Sequence, residues 1–433
     1  MLEYILGGKT LSNKGFKNKK IKKKEIMNIF EKTFCRTYQF GFRAAMPLLP
    51  YHEPKLYHSI TNITEILQKE NKTCALIVSD QGIRQSGIID ILTKILDSAK
   101  IKYSVYDKTR PNPTIYNIEE GLKLYKQNNC DSLIAVGGGS SMDCAKTIGA
   151  RAVYPKKSIE QMKGLMHVLK KIPTLITIPT TAGTGSEVTV TAVITDSDKK
   201  HKYTLNNFTF IPYYAILDPK LTISLPKSLT ATTGMDALTH ALEAYIGRST
   251  TKETRRLAEE ATKLVFENIL TAYQDGLNIN ARANMLLAAY KAGIAFSKSY
   301  VGYIHAIAHS LGGQYNIPHG LANAVLMPYV LEGYGKVIYK KLHKLAIVAG
   351  LSTKEESSKT AAEKFIKAIK DLNQKMNIPT TFDMIEDKDI PQMALYAAKE
   401  ANPLYPVPKL MNAKELETFY YQVQNRGKQN GTK

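Results

Sequence analysis

The sequence is poor in the residues that staple or anchor a chain. Cysteine occurs only four times in 433 residues, as Cys35, Cys74, Cys130 and Cys144, and never in CxxC spacing. That excludes a thiolate zinc site and a disulfide framework, and predicts reduced thiols. No run of eighteen apolar residues is present, so no membrane-spanning helix is expected. The front, "MLEYILGGKTLSNKG", has neither a charged start before an apolar stretch nor a small-residue cleavage site. No secretory signal is expected, and the cytoplasm is the default compartment. Acidic residues are also scarce: 38 Asp and Glu face 59 Lys and Arg, a net charge of +21. Such an excess raises nucleic acid or an anionic membrane as a partner. The excess is mostly lysine on solvent-facing positions, without the arginine and interleaved aromatics of a nucleic-acid module. Neither partner is therefore expected.

What is present divides the chain. A lysine run, "KGFKNKKIKKK" at 14–24, precedes "EIMNIFEKTF", whose apolar residues at 26, 27, 29, 30 and 34 form a helical stripe. Residues 1–39 read as a basic extension carrying one amphipathic helix. From about residue 73, short apolar runs ("TCALIV", "IKYSVYD", "SLIAV", "PTLITI") alternate with helical spacing at 84–99, 115–128 and 140–153. That alternation predicts a parallel sheet covered by helices. Past Pro226 the strand-like runs stop, and 229–246, 253–274, 278–298, 320–333, 338–349 and 355–375 all have helical periodicity. The division expected is an α/β domain over 40–220 with a Rossmann-like parallel sheet, and an all-α domain over 221–433.

Chemistry gathers where strands end, as it does in open parallel sheets. "SLIAVGGGSSMDCAK" sets Gly137, Gly138 and Gly139 between a buried strand and a helix opening at Ser140. Without side chains there, backbone N–H groups and the helix N-terminus can approach a phosphate. After the next strand, "PTTAGTGSEVT" supplies Thr180, Thr181, Thr184 and Ser186 around two more glycines. Two such loops at one end of a sheet suit a dinucleotide pyrophosphate. Asp80, closing the strand of "ALIVSDQG", is placed to accept both ribose hydroxyls and to repel a 2′-phosphate, which favours NAD over NADP.

The helical half carries "GMDALTHALEAY", with Asp236 and His240 one turn apart, and "HAIAHSLGGQYNIPHG", with His305, His309 and His319. An Asp and several His without cysteine suit Fe²⁺, Zn²⁺ or another divalent first-row ion. Spacing alone does not choose between His305 and His309 as ligands.

Taken together and in this order, "GGGSSMDCAK", "PTTAGTGSE", "GMDALTHALEAY" and "HAIAHSLGGQYNIPHGLANAVLMP" resemble the iron-containing, group III alcohol dehydrogenase family, over roughly Phe40 to Val423. The resemblance implies a dehydroquinate synthase-like fold, an N-terminal Rossmann-like domain and a helical domain with cofactor and metal in the cleft between them. It implies Asp236, His240, His305 and His319 as metal ligands, and His309 as a neighbour of the nicotinamide that handles a proton. It matches Gly137, Gly138, Gly139, Ser140 and Asp143 to one cofactor loop, Thr180, Thr181 and Thr184 to the other, Lys202 to a ribose contact and Asp80 to the NAD-favouring acid. The expected activity is reversible hydride transfer between a short-chain primary alcohol or aldehyde and NAD(H), in a homodimer or larger homo-oligomer. Two rivals are a Zn²⁺-dependent polyol dehydrogenase and a non-catalytic interaction protein using the basic arm.

Overall fold

A computed structural model describes residues 27–198 and 201–425, so the lysine run at 14–24 lies outside the described residues. In chain order the first half forms α1 (Ile29–Ala45), β1 (Lys55–Tyr57), α2 (Ile63–Lys69), β2 (Cys74–Val78), α3 (Gln81–Gln85), α4 (Ile88–Ser98), β3 (Lys102–Tyr106), α5 (Ile115–Gln127), β4 (Ser132–Gly137), α6 (Gly139–Val153), β5 (Gly164–Leu165), β6 (Thr174–Pro179), β7 (Thr191–Asp196), β8 (His201–Asn206) and β9 (Tyr214–Ile216). The second half forms α7 (Lys227–Ile246), α8 (Lys252–Gln274), α9 (Ile279–Ser299), α10 (Tyr303–Tyr315), α11 (His319–Tyr334), α12 (Tyr339–Val348), α13 (Ser358–Lys375), α14 (Ile390–Ala401) and α15 (Ala413–Val423).

The main sheet has six strands in the order β1-β9-β6-β4-β2-β3, and every pairing is parallel. Each residue of β2, β4 and β6 is buried. This is the signature of a sheet covered on both faces, and it explains why these strands read as unbroken apolar runs. On one face α6 contributes Met142, Cys144 and Ile148, and on the other α4 contributes Ile89, Leu92 and Leu96. The chain steps outward from β2 to β3 and returns to the far flank of β2 with β4. The crevice between β2 and β4 is thus a topological switch point, where such sheets bind ligands. The four cysteines are free and buried.

A three-stranded sheet, β5-β8-β7, with β7 and β8 antiparallel, was not legible in the sequence. Neither were β1 and β9, three residues each, nor α10, α14 and α15. The other helices of the second half match the expected spans within a few residues. α7 is buried at fifteen of its twenty positions, which suits a helix surrounded by others. α8 and α9 pack on it, and the helical core reaches back to Val188 and Leu217 of the first half.

α1 opens on a capping box between Asn28 and Glu31. It lies on the helical half through Arg36, which donates to the Val407 and Pro408 carbonyls at 2.8 and 3.1 Å, and Gln39, which donates to those of Pro403 and Tyr405 at 3.1 and 2.7 Å. Its other face leaves Ile29, Phe30, Phe34 and Phe40 exposed.

Candidate metal centre and dinucleotide cleft

Asp236 and His240 project from one face of α7, His305 from the first turn of α10, and His319 opens α11. Each offers one donor atom, and the four atoms lie within 4.8 Å of one another. Around an ion with bonds of about 2.1 Å, tetrahedral donors stand about 3.4 Å apart, so small side-chain adjustments suffice. Close backbone approach assembles the set. A Cβ on Gly320 would stand 2.5 Å from the Thr232 carbonyl, so only glycine lets α11 bring His319 against α7.

Neighbouring groups fix the donors. The buried Glu243 carboxylate, one turn beyond His240 on α7, accepts from the backbone N–H of Gly302 and Ile304, both at 2.7 Å, and lies 2.6 Å from His305 Nδ1. It therefore caps α10, whose own N-cap residue Gly302 has no side chain to do so, and sets the His305 tautomer with the proton on Nδ1 and the lone pair on Nε2. Gly302 is required as well: a Cβ there would meet Glu243 Oε1 at 2.7 Å. Burial raises the Glu243 carboxyl, and the backbone N–H groups of α10's first turn pull it back toward the accepting anion. Asn323, one turn after His319, donates to Asp236 Oδ1 at 2.7 Å and stands 3.2 Å from Nε2 of both His305 and His319. Burial holds His240, His305 and His319 below the ordinary imidazole range. Neutral imidazole is the form a metal requires, so one carboxylate and three imidazoles suit a divalent first-row cation. His309 lies beside the set, its ring stacked on His319 with centroids 5.1 Å apart.

The dinucleotide loops meet at the switch point. Gly138 is the N-cap of α6, and no side chain caps that helix, so its first N–H groups remain available to an anion. The glycines make room for the opposite loop: a Cβ on Gly138 would stand 3.3 Å from Thr181 Oγ1, and one on Gly139 would stand 2.9 Å from Thr184. Gly137 has a φ of 144°, and its carbonyl accepts from Thr180 N at 3.0 Å. The Thr180 hydroxyl is buried without a partner in the protein. Ser140 accepts from Asn112 N at 3.3 Å. Asp80 caps α3 through Ile83 N at 3.0 Å and accepts from Ser141 Oγ at 3.3 Å, at the mouth of the crevice. A cradle filled by any Cβ, an uncapped helix start and an orphaned hydroxyl fit a dinucleotide.

Asp143 has a structural share in this arrangement. Its oxygens accept from Ser186 Oγ at 2.9 Å and Val193 N at 3.0 Å, and burial raises its carboxyl against the pull of Lys146 and Lys202. Lys202 lies in the fields of Asp143 and of Glu400 on α14, and burial lowers its ammonium. It thereby stands between the two halves. The second loop is clamped onto the helical half: a Cβ on Gly183 would meet Thr233 at 2.7 Å, and one on Gly185 would meet Gly293 at 2.7 Å.

Sequence reasoning missed several residues. Lys146 ends the glycine motif but is wholly buried, donating to five oxygens of Ser186, Thr189 and Thr191 at 2.7–3.0 Å. It ties the two cofactor loops together, and burial pushes it down to about 8. Glu243 falls on the face of Asp236 and His240 by helical spacing, and Asn323 shares the face of His319. That spacing could have found them. Glu400, 2.6 Å from His309 Nδ1, lies 91 residues away and carries no local signal.

Two family descriptions match nearly the whole described chain: "Iron-containing alcohol dehydrogenase" over residues 57–219 and "Fe-containing alcohol dehydrogenase family, C-terminal" over 230–423. A 1,3-propanediol dehydrogenase of Klebsiella pneumoniae is 38% identical over 353 residues, covering 81% of this chain and 91% of that protein. The crystal structure of a 1,3-propanediol oxidoreductase superposes with a TM-score of 0.83 at 36% identity, over 86% of this chain and 99% of that one. A sulfoacetaldehyde reductase from Bifidobacterium kashiwanohense, solved in complex with NAD+, superposes with a TM-score of 0.76 at 26% identity, over 86% and 98%. With this sequence likeness and a donor set of the expected chemistry, the chain belongs to the iron-containing alcohol dehydrogenase family and is an alcohol oxidoreductase that uses NAD(H) and a metal ion.

Proposed function

We propose that the chain interconverts a short-chain primary alcohol and its aldehyde, with NAD rather than NADP and with Fe²⁺ in preference to Zn²⁺. Asp236, His240, His305 and His319 would hold the cation. Residues 40–220 would carry the dinucleotide and residues 221–433 the metal, in a cytoplasmic homodimer or larger assembly. No helix among the described residues is long and apolar enough to cross a membrane. The observation that carries the reading is the convergence of four donor atoms within 4.8 Å, with three imidazoles kept neutral.

When bound, the cation supplies Lewis acidity that lowers the pKa of the alcohol. The chain's own groups do the rest. Gly137, Gly138, Gly139, Ser140, Thr180, Thr181 and Thr184 hold the pyrophosphate side of the cofactor, with Asp143 fixing their loops and Lys202 meeting the ribose. Asp80 accepts the adenosine hydroxyls, which disfavours a 2′-phosphate. A bound dinucleotide would supply the acceptor for the hydride and its electron pair from the carbinol carbon, and His309 would take the hydroxyl proton at Nε2 and release it to solvent. The packing of Gly183 on α7 and of Gly185 on α9 holds the second loop against the helical half that carries the candidate ligands.

The test is an anaerobic purification with metal analysis, followed by a panel of ethanol, butanol, propanediols and glycerol, and the matching short aldehydes, with NADH and NADPH. Iron content with NADH-dependent aldehyde reduction is expected. Zinc content with turnover of glycerol would favour the polyol enzyme. No NADH oxidation with any short aldehyde, in metal-loaded protein, would leave only a binding role.

A further inference from the structure

His309 differs from the candidate ligands in what holds it. Glu400, at the end of α14, places Oε1 2.6 Å from His309 Nδ1, and the same oxygen accepts the Tyr405 hydroxyl at 2.7 Å. A carboxylate only accepts, so Nδ1 carries a proton, and Nε2 is the nitrogen left to exchange one. Tyr405 in turn is fixed at its backbone. Its N–H donates to Ala401 O at 2.6 Å, and its carbonyl accepts from Gln39 Nε2 of α1 at 2.7 Å. Gln39 is buried, and with Arg36 it satisfies four carbonyls of the Pro403–Pro408 segment. A continuous chain of hydrogen bonds thus runs from the N-terminal helix through Tyr405 and Glu400 to His309.

We propose that Glu400 is the positioning residue for His309, held by Tyr405 and, through the backbone of Tyr405, by α1. The carboxylate selects the tautomer that can accept the alcohol proton at Nε2 and holds the ring plane against His319. The arrangement is that of a carboxylate behind a histidine base, in which the carboxylate orients the ring without becoming protonated itself. Tyr405 takes a second lone pair of the same oxygen, so the carboxylate cannot swing away from the ring without breaking both bonds. The inference rests on the proposed role of His309 in proton handling.

Metal-loaded Glu400→Gln, Tyr405→Phe, Gln39→Ala, His309→Ala and the double variant Glu400→Gln/His309→Ala test it, with kcat, both KM values, metal content and the solvent deuterium isotope effect on kcat. Glu400→Gln is expected to lower kcat by about 10- to 100-fold, the loss usual for a partner behind a functional histidine, with metal content unchanged and the isotope effect moved toward that of His309→Ala. Tyr405→Phe should lower kcat about 5-fold, the equivalent of one net hydrogen bond, and Gln39→Ala by less. In the His309→Ala background Glu400→Gln should add nothing, because its effect passes through that ring. A normal kcat in His309→Ala would overturn both the proton role and this inference. A kcat lost in His309→Ala but kept within 2-fold in Glu400→Gln would overturn this inference alone. So would an equal loss from Glu400→Gln in both backgrounds.

Discussion

The two halves of the cleft are built on opposite principles. In the helical half, the candidate ligands are side chains and other side chains hold them: His305 is fixed by Glu243, and Asp236 by Asn323. In the α/β half, the candidate cradle is bare backbone, and the support comes from beneath. Lys146 and Asp143 pin the loops from the buried side while the glycines leave the exposed side bare. Side-chain sites therefore fail by losing a ligand, and backbone sites fail by gaining an atom.

Removing a ligand should have the largest effect. His305→Ala is expected to lose the metal and at least ~10³-fold of kcat together, since several kcal/mol of charge stabilisation go with the cation. Elemental analysis beside turnover checks it, and metal retained at full stoichiometry would remove His305 from the ligand set. Next comes a change one shell out: Glu243→Gln keeps the shape but offers one acceptor oxygen where three donors converge. Metal affinity should fall about 10- to 100-fold, measured by competition with a chelator. An unchanged affinity would mean that α10 holds His305 without its cap.

Adding an atom tests the other half. Gly139→Ala places a Cβ 2.9 Å from Thr184, so the second loop must withdraw from the cradle. The dissociation constant for NADH should rise about 10-fold, the equivalent of about 1.4 kcal/mol, while metal content stays at wild-type level. If the metal is lost instead, the halves are not separable as described. The smallest effect expected is one of pH. Burial raises the carboxyl of Glu187, which lies beneath the second loop, to about 7. Between its unfolded value of 4.5 and about 7 the folded state binds more protons, so this group makes stability fall as pH rises through that window. Glu187→Gln should flatten that part of the profile of melting temperature against pH, and an unaltered slope would assign it to other groups.

The same contrast explains how much the sequence disclosed. The three central strands and most helices were legible because burial on both faces leaves continuous apolar runs and helical packing leaves a period. The hairpin of β7 and β8 was not, because its half-buried and buried residues alternate over only a few positions beside loops of similar composition. Histidines and glycine clusters are rare enough to stand out, so the candidate residues could be named. Of their supports only Glu243 and Asn323, which share a helix face with a candidate ligand, were within reach of the same reading. Lys146 looks like one more surface lysine, and Glu400 and Tyr405 look like ordinary residues of a late helix and loop until the fold brings them to His309. The basic extension was legible only as an amphipathic stripe, and the contact of Gln39 with Tyr405 depends on tertiary placement alone.

Gly185 and Gly293 face each other where the second cofactor loop meets α9, each within 3.1 Å of where the other's Cβ would stand. This is a fulcrum of bare backbone. An alanine at either position acts as a wedge between the two halves: at Gly185 it meets only the backbone of α9, and at Gly293 it meets the Gly185 backbone as well as the Val188 side chain. The second loop can seat against α9 in this way only while both positions are bare, so a side chain added at either one must shift the loop as a whole.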